Sequence, residues 1–123
     1  MSEKDNGFSK LPNGDKEGLK IQNGFSKDLN KLMQFPSEGV FSTVLAKSET
    51  YNYTLMCLAK GTDIDTHTST KNGVVQVLKG KGTFKLFDKE IVMEPGKFIF
   101  MPKDAPHALK ADEDLAILLC LTT

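Results

Sequence analysis

The sequence predicts an all-β fold, a sandwich or barrel built from short strands. After Gly39 every apolar run is short, and none is long enough for a well-formed helix. Turn residues such as Asn72-Gly73 and Pro95-Gly96 separate these runs at near-regular intervals. Short runs with evenly spaced turns are typical of all-β sandwiches and barrels.

The first 27 residues differ in composition from the rest of the chain. They are polar, and the pentapeptide Asn-Gly-Phe-Ser-Lys occurs in them twice, at 6–10 and 23–27. We expect 1–27 to be a polar extension and 28–123 to be the barrel domain. The extension is interpreted either as a flexible, surface-draped segment or as an arm whose Phe8 and Phe25 dock on the barrel or on a second subunit.

A short helical turn is predicted where the domain begins. Leu29, Leu32 and Met33 have helical spacing, and Asp28 stands where an N-cap residue would be. Pro36 then ends the helical segment, because the residue before a proline disfavours the helical conformation.

Nine segments after Gly39 are candidate strands. They are 40–46, 51–59, 64–67, 74–78, 83–87, 90–93, 97–101, 107–111 and 115–121. In the second strand, alternation places Tyr51, Tyr53, Leu55 and Cys57 on one face. The last strand is apolar on both faces, which predicts that one face meets the barrel interior and the other meets a further sheet or a subunit.

Composition limits the functions that the chain can have. It contains 16 basic and 16 acidic residues among 123, so no net charge attracts it to nucleic acid or to an anionic membrane. No apolar run approaches the roughly 20 residues of a membrane span, and the first residues lack the apolar stretch of a signal peptide. We therefore expect a cytoplasmic protein with no nucleic-acid or membrane partner, and buried free thiols at Cys57 and Cys120.

Two segments, 61–82 and 95–107, have the spacing of a recognisable pair of motifs. The matching residues are Gly61, His67 and Gly80 in the first segment, and Gly96, Pro102 and His107 in the second. Together they resemble the two motifs of the cupin superfamily, and the resemblance covers roughly residues 39–123. It implies a small antiparallel jelly-roll β-barrel, for which we expect six to eight strands.

The resemblance also implies where a metal ion would bind. Metal-binding cupins use two histidines and a glutamate of the first motif and the histidine of the second. His67 and His107 match, but Ser69 stands where the second histidine would be and Asn72 where the glutamate would be. With half of the ligand set replaced, the sequence predicts at most a weakly bound divalent ion, such as zinc, nickel, iron or manganese, at His67 and His107.

Strand alternation suggests which polar residues accompany the histidines. Asn72 and Gln76 share one face of their strand and are expected to meet His67, while Asp63 and Asp65 have the parity of His67 nearer the rim. The predicted ligand-binding pocket consists of His67, Ser69, Asn72, Gln76 and His107.

Three roles remain open for the two histidines. They line the pocket as hydrogen-bonded structural residues, bind a small molecule, or act as metal-free acid or base catalysts. The favoured hypothesis is a small-molecule-binding or sensing protein of unknown ligand. The alternative is a metal-dependent enzyme, a dioxygenase or isomerase acting on a small polar metabolite. A homodimer formed through edge strands or the outer sheet face is also expected.

Overall fold

The computed structural model describes residues 23–123, and these form one short helix followed by nine strands. The helix α1 spans Leu29–Leu32. The strands are β1 (Val40–Lys47), β2 (Tyr51–Leu58), β3 (Asp63–His67), β4 (Asn72–Lys79), β5 (Gly82–Leu86), β6 (Lys89–Met93), β7 (Phe98–Met101), β8 (His107–Ala111) and β9 (Leu115–Thr122).

The strands form two antiparallel sheets. The five-stranded sheet has the order β1-β2-β9-β4-β7, and the four-stranded sheet has the order β3-β8-β5-β6. The two sheets are not closed into one hydrogen-bonded cylinder, so the barrel is a jelly roll of two facing layers. The predicted all-β fold is confirmed, and each of the nine candidate segments overlaps one of the nine strands; the expected count of six to eight was too low.

The core lies between the two sheets and takes alternate residues from each strand. Val75 and Val77 of β4 meet Phe84 of β5 and Leu109 of β8 there, all nearly inaccessible to solvent. These side chains belong to one continuous apolar cluster, whose burial supplies most of the driving force for folding.

A second, smaller cluster forms on the outer face of the five-stranded sheet, under α1. Asp28 is the N-cap of this helix, and its Oδ1 accepts a hydrogen bond of 3.0 Å from the Asn30 amide, as predicted. Leu32, Met33 and Phe35 pack on Leu55, Cys57 and Ala116. Burial as a free thiol is thus confirmed for Cys57, whereas Cys120, further along this face, is only half-buried.

Much of the predicted polar extension lies outside the described residues. Phe8 and the first copy of the pentapeptide belong to that part, and Phe25 is exposed. Between residues 23 and 123 there is no helix with the length and apolar character needed to cross a membrane.

Candidate functional site

An irregularity in β3 brings the two histidines of the chain together. Ile64 pairs with Leu109, but the next pair along the two strands joins His67 to His107. Three residues of β3 therefore span the same distance as two residues of β8, which is a β-bulge. Because of this extra residue, Ile64 and His67 both face the interior although they are an odd number of positions apart.

The two imidazole rings are in contact at one end of the interior. Their centroids lie 4.2 Å apart with an interplanar angle of 60°. His107 is only 8% exposed, and its ring stacks on Phe84 with centroids 5.9 Å apart and an angle of 11°. His67 is exposed. His107 is therefore the buried member of the pair, packed on the Phe84 ring, and His67 is the member accessible to solvent.

Each histidine is oriented by the backbone carbonyl two residues before it. His67 Nδ1 lies 2.9 Å from the Asp65 oxygen, and His107 Nδ1 lies 2.9 Å from the Ala105 oxygen. A carbonyl oxygen only accepts, so both Nδ1 atoms carry the proton and donate it. In the neutral ring this leaves both Nε2 atoms with a free lone pair, the tautomer found in metal-binding and hydrogen-bond-accepting histidines.

Ser69 and Asn72 form hydrogen bonds between the chain segments that follow His67 and precede His107. The Ser69 carbonyl accepts a 2.7 Å hydrogen bond from the Asp104 amide, and Asn72 Oδ1 accepts a 3.1 Å bond from the Lys103 amide. Ser69 Oγ accepts from the Lys71 amide at 3.1 Å in a local turn. The first two bonds join the loop after β3 and the start of β4 to the loop before β8. The two residues at the cupin ligand positions therefore position the loops.

Gln76 does not join the histidines, which corrects the expectation drawn from strand alternation. It is exposed, and its neighbours Val75 and Val77 occupy the core face of β4. Asn72 shares the outer row with Gln76, so the residue that faces inward at the start of β4 is Gly73. A Cβ atom at Gly73 would lie 2.5 Å from Met101 Cε, so the Met101 side chain fills that space.

The shared parity expected for Asp63, Asp65 and His67 is also wrong, because the bulge interrupts it. Asp63 pairs with Lys110, an exposed residue on the outer side of the four-stranded sheet. Asp65 contributes its backbone carbonyl to His67. Within residues 23–123 no group of three or more His, Cys, Asp or Glu side chains is placed to hold a metal ion.

Two further residues at the site were not singled out as functional from the sequence. Phe84 is the floor under His107, and Leu86 pairs with His107 across β5 and β8. Phe84 and Leu86 alternate with polar residues along β5, and this alternation is the sequence signal that places both side chains in the interior. Leu86 also borders an open depression of about 560 Å³ at the β5–β6 turn, next to the exposed ring of Phe87.

The comparison with protein families agrees with this geometry. Residues 54–122 match the sequence model of the cupin domain. The chain belongs to the cupin family. None of the curated proteins compared with this cupin matches its sequence.

Solved structures support the same fold. A conserved protein of unknown function from Streptococcus pyogenes is 26% identical, with a TM-score of 0.74 over 80% of this chain and 87% of that one. A cupin superfamily protein from Desulfitobacterium hafniense is 20% identical, with a TM-score of 0.72 over 76% of this chain and 86% of that one. Salicylate 1,2-dioxygenase from Pseudoaminobacter salicylatoxidans is 19% identical, with a TM-score of 0.64 over 68% of this chain and 26% of that one. At these identities the last two show the fold alone.

Proposed function

We propose that this cupin is a small-molecule-binding protein whose binding site is the His67–His107 pair. The observation that carries the proposal is the fixed tautomer of the two adjacent rings. Both Nδ1 atoms are engaged with backbone carbonyls, so the Nε2 atom of each of two rings in contact is free to accept a hydrogen bond beside the apolar interior. A few converging polar groups in an apolar cavity are the usual composition of a small-molecule site.

The chemistry of the pair selects the kind of ligand. Two neighbouring Nε2 lone pairs accept hydrogen bonds, so they favour a molecule that presents a hydroxyl or amino group to them. Phe84 and Leu86 beside His107 favour an apolar portion behind that group. We therefore expect a small ligand with a donor group at one end and an apolar body.

Metal binding is weaker in this proposal than in a complete cupin metal centre. Neutral imidazole is a suitable ligand for zinc and nickel, and both rings have the tautomer that such ions need. However, catalytic metal sites commonly use three protein ligands, and Gly73 and Gln76 supply none on the interior face of β4. The donor set fits a loosely held ion and does not fit a tight centre.

A metal-dependent enzyme, of dioxygenase or isomerase type, is the second candidate. It is favoured by the ring tautomers and by the fold shared with salicylate 1,2-dioxygenase. Metal analysis of untagged protein separates the two candidates. For the binding protein, the content of iron, manganese, nickel and zinc should be clearly below one ion per chain. A content of one metal close to one ion per chain would favour the enzyme.

Ligand binding itself is tested by thermal shift with a library of metabolites. Compounds that bind the folded state raise the melting temperature of the native protein. The shift should be lost in His67→Ala and retained in Lys110→Ala, a matched exposed position on the neighbouring strand β8. If no compound stabilises the native protein, or if His67→Ala responds as the native protein does, the proposal is wrong.

A further inference from the structure

The turn between β5 and β6 carries a bulky side chain in an unfavourable conformation. Phe87 and Asp88 form its two-residue loop, and of these two only Phe87 has a positive φ, which is 55°. This pattern is typical of the hairpin turn whose first loop position is usually glycine, because a Cβ atom is strained there. The Phe87 ring is 55% exposed, so packing within the chain offsets little of the strain. Strained residues of this kind cluster at functional sites.

The turn adjoins the histidine pair. Leu86, the last residue of β5, pairs directly with His107, and the Phe87 amide donates a 2.9 Å hydrogen bond to the Pro106 carbonyl. Paired residues on antiparallel strands have Cα atoms up to about 5.5 Å apart, and consecutive Cα atoms are about 3.8 Å apart. The Cα atoms of His107 and Phe87 therefore lie within roughly 9 Å of each other, which a small molecule can span.

The open depression of about 560 Å³ at this turn provides space for part of a ligand. Within residues 23–123 it is lined by Leu86, Phe87, Asp88 and Lys89. Leu86 also packs against the central apolar cluster, so it joins the depression to the interior beside His107. The volume is within the range of roughly 300–1,000 Å³ that is usual for small-molecule sites. Asp88 and Lys89 carry opposite charges, so the lining has no net charge that would select an ionic ligand.

We propose that Phe87 is a ligand-binding residue, and that the molecule bound by the histidine pair is an aryl alcohol whose ring packs on Phe87. The inference rests on the proposed function, since the Nε2 atoms of His67 and His107 accept the hydrogen bond of the hydroxyl group. The apolar body of the ligand then lies over Leu86 and ends against the exposed Phe87 ring. An aromatic body suits this position better than an aliphatic one, because two aromatic rings attract each other beyond the effect of their buried area.

The probe that tests the inference is 3-phenylpropan-1-ol, which has one hydroxyl group, one phenyl ring and a flexible linker. Its dissociation constant is measured by NMR titration of the full chain, and the amide spectrum shows whether each variant is folded. 3-Cyclohexylpropan-1-ol has the same hydroxyl group and linker without the aromatic ring. It should bind at least about threefold more weakly than the phenyl compound.

Phe87→Leu keeps an apolar side chain and the strained backbone but removes the ring, so it should weaken binding of the phenyl compound at least about threefold. Phe87→Trp keeps an aromatic ring and should retain binding. Phe98→Leu is the matched control, because it makes the same change at a ring that is 53% exposed on β7 of the other sheet. It should leave the dissociation constant unchanged.

Phe87→Gly distinguishes a ligand-binding side chain from one that only forms the turn. It relieves the backbone strain and removes the ring together, so the variant should fold at least as stably as the native protein and yet bind at least about tenfold more weakly. A Phe87 that only forms the turn would show the same gain in stability with unchanged binding.

His67→Ala separates this inference from the proposed function. If binding is lost in His67→Ala but unchanged in Phe87→Leu and Phe87→Gly, the inference is wrong and the proposed function stands. If Phe87→Gly weakens binding and His67→Ala does not, the depression is a separate site, and both are wrong for this ligand class. If the native protein does not bind 3-phenylpropan-1-ol, or binds the cyclohexyl compound equally well, the ligand is not an aryl alcohol and the inference is wrong. The metabolite library then tests the proposed function by itself.

Discussion

His67 and His107 occupy directly paired positions on β3 and β8, with ring centroids 4.2 Å apart. His67 ends one strand and His107 begins the other, yet each ring is held by the same kind of bond, from Nδ1 to the carbonyl two residues earlier. This repeated local geometry fixes both Nε2 atoms as acceptors before any ligand is present. Such preorganisation reduces the ordering that a ligand must impose on the site.

The first prediction concerns metal binding by this pair. His67→Ala should weaken the binding of Ni²⁺ by at least about tenfold, because it removes one of the two ligands. Loss of a residue that only orients a ligand already costs about tenfold or more in metal affinity. The change in stability should stay within about 0.5 kcal/mol, since His67 is exposed. Isothermal titration calorimetry on untagged protein measures the affinity.

Ser69→Ala is the control for this prediction. Ser69 stands at a cupin ligand position, but its Oγ accepts from the Lys71 amide in a local turn. The variant should bind Ni²⁺ as the native protein does. Equal losses in Ser69→Ala and His67→Ala would show that the metal site is not the histidine pair.

The sequence predicted the strands well because turn residues separate most of them and the apolar runs are short, although Asn72-Gly73, expected as a turn, begins β4. It did not predict which face of β4 is buried. Alternation divides that strand into Gly73, Val75 and Val77 on one side and Val74, Gln76 and Leu78 on the other, and both rows contain apolar residues. Since both sides of the five-stranded sheet are apolar, periodicity alone gave no reason to place Gln76 outside.

Strand alternation also could not predict the bulge in β3. A strand with strict alternation places Asp63 and Asp65 with His67, whereas the extra residue puts Ile64 and His67 on the same face. The motif spacing nevertheless singled out the two histidines that pair with each other in the structure. The spacing of a family's motif already contains the extra residue of the bulge. Strict alternation along a regular strand does not.

The second prediction concerns Gly80, the last matching residue of the first motif. Its φ is 88°, and a Cβ atom there would lie 1.9 Å from the Asp114 carbonyl oxygen. Gly61 has a φ of 90° but open space around it. Gly61→Ala should therefore cost about 1–2 kcal/mol for the left-handed backbone alone, and Gly80→Ala about 3 kcal/mol or more because backbone must also move. Urea unfolding measures both, and equal losses would contradict the steric explanation.

The third prediction concerns strain at the turn beside the site. Leu86 pairs with Lys89, so Phe87 and Asp88 form a two-residue hairpin loop, in which Phe87 has a φ of 55°. A bulky residue in this region is strained, and the exposed ring of Phe87 returns little by packing. Phe87→Gly should stabilise the protein by about 1 kcal/mol, which raises the melting temperature by about 4 °C.

Asp104→Gly is the matched substitution for Phe87→Gly. Asp104 has a φ of 66°, but aspartate as a residue type tolerates this region better than phenylalanine, so its replacement should change stability by no more than about 0.5 kcal/mol. Phe87→Ala retains a Cβ atom and should gain less than Phe87→Gly. The strain argument fails if alanine and glycine at position 87 give the same melting temperature.

The fourth prediction follows from the pairing of Tyr53 with Cys120 on the outer face of the five-stranded sheet. Hydrogen bonding and charge interaction with Cys120, together with burial, raise the pKa of Tyr53 above its ordinary value of 10.0. The folded protein therefore keeps the phenolic proton at a pH where the unfolded chain has lost it. The stability from this contact is complete below pH 10.0 and is lost as the pH rises through the folded-state pKa of Tyr53.

The chain has 2 tyrosines and no tryptophan, so Tyr51→Phe leaves Tyr53 as the sole source of the tyrosinate absorbance. In that background the folded titration midpoint should lie above 10.0, the ordinary pKa of the phenol. Adding Cys120→Ala should lower it, because the main cause of the raised pKa is removed, while Cys57→Ala, at a buried position under α1, should leave it unchanged. A midpoint that does not respond to Cys120→Ala would show that the two side chains do not interact in solution.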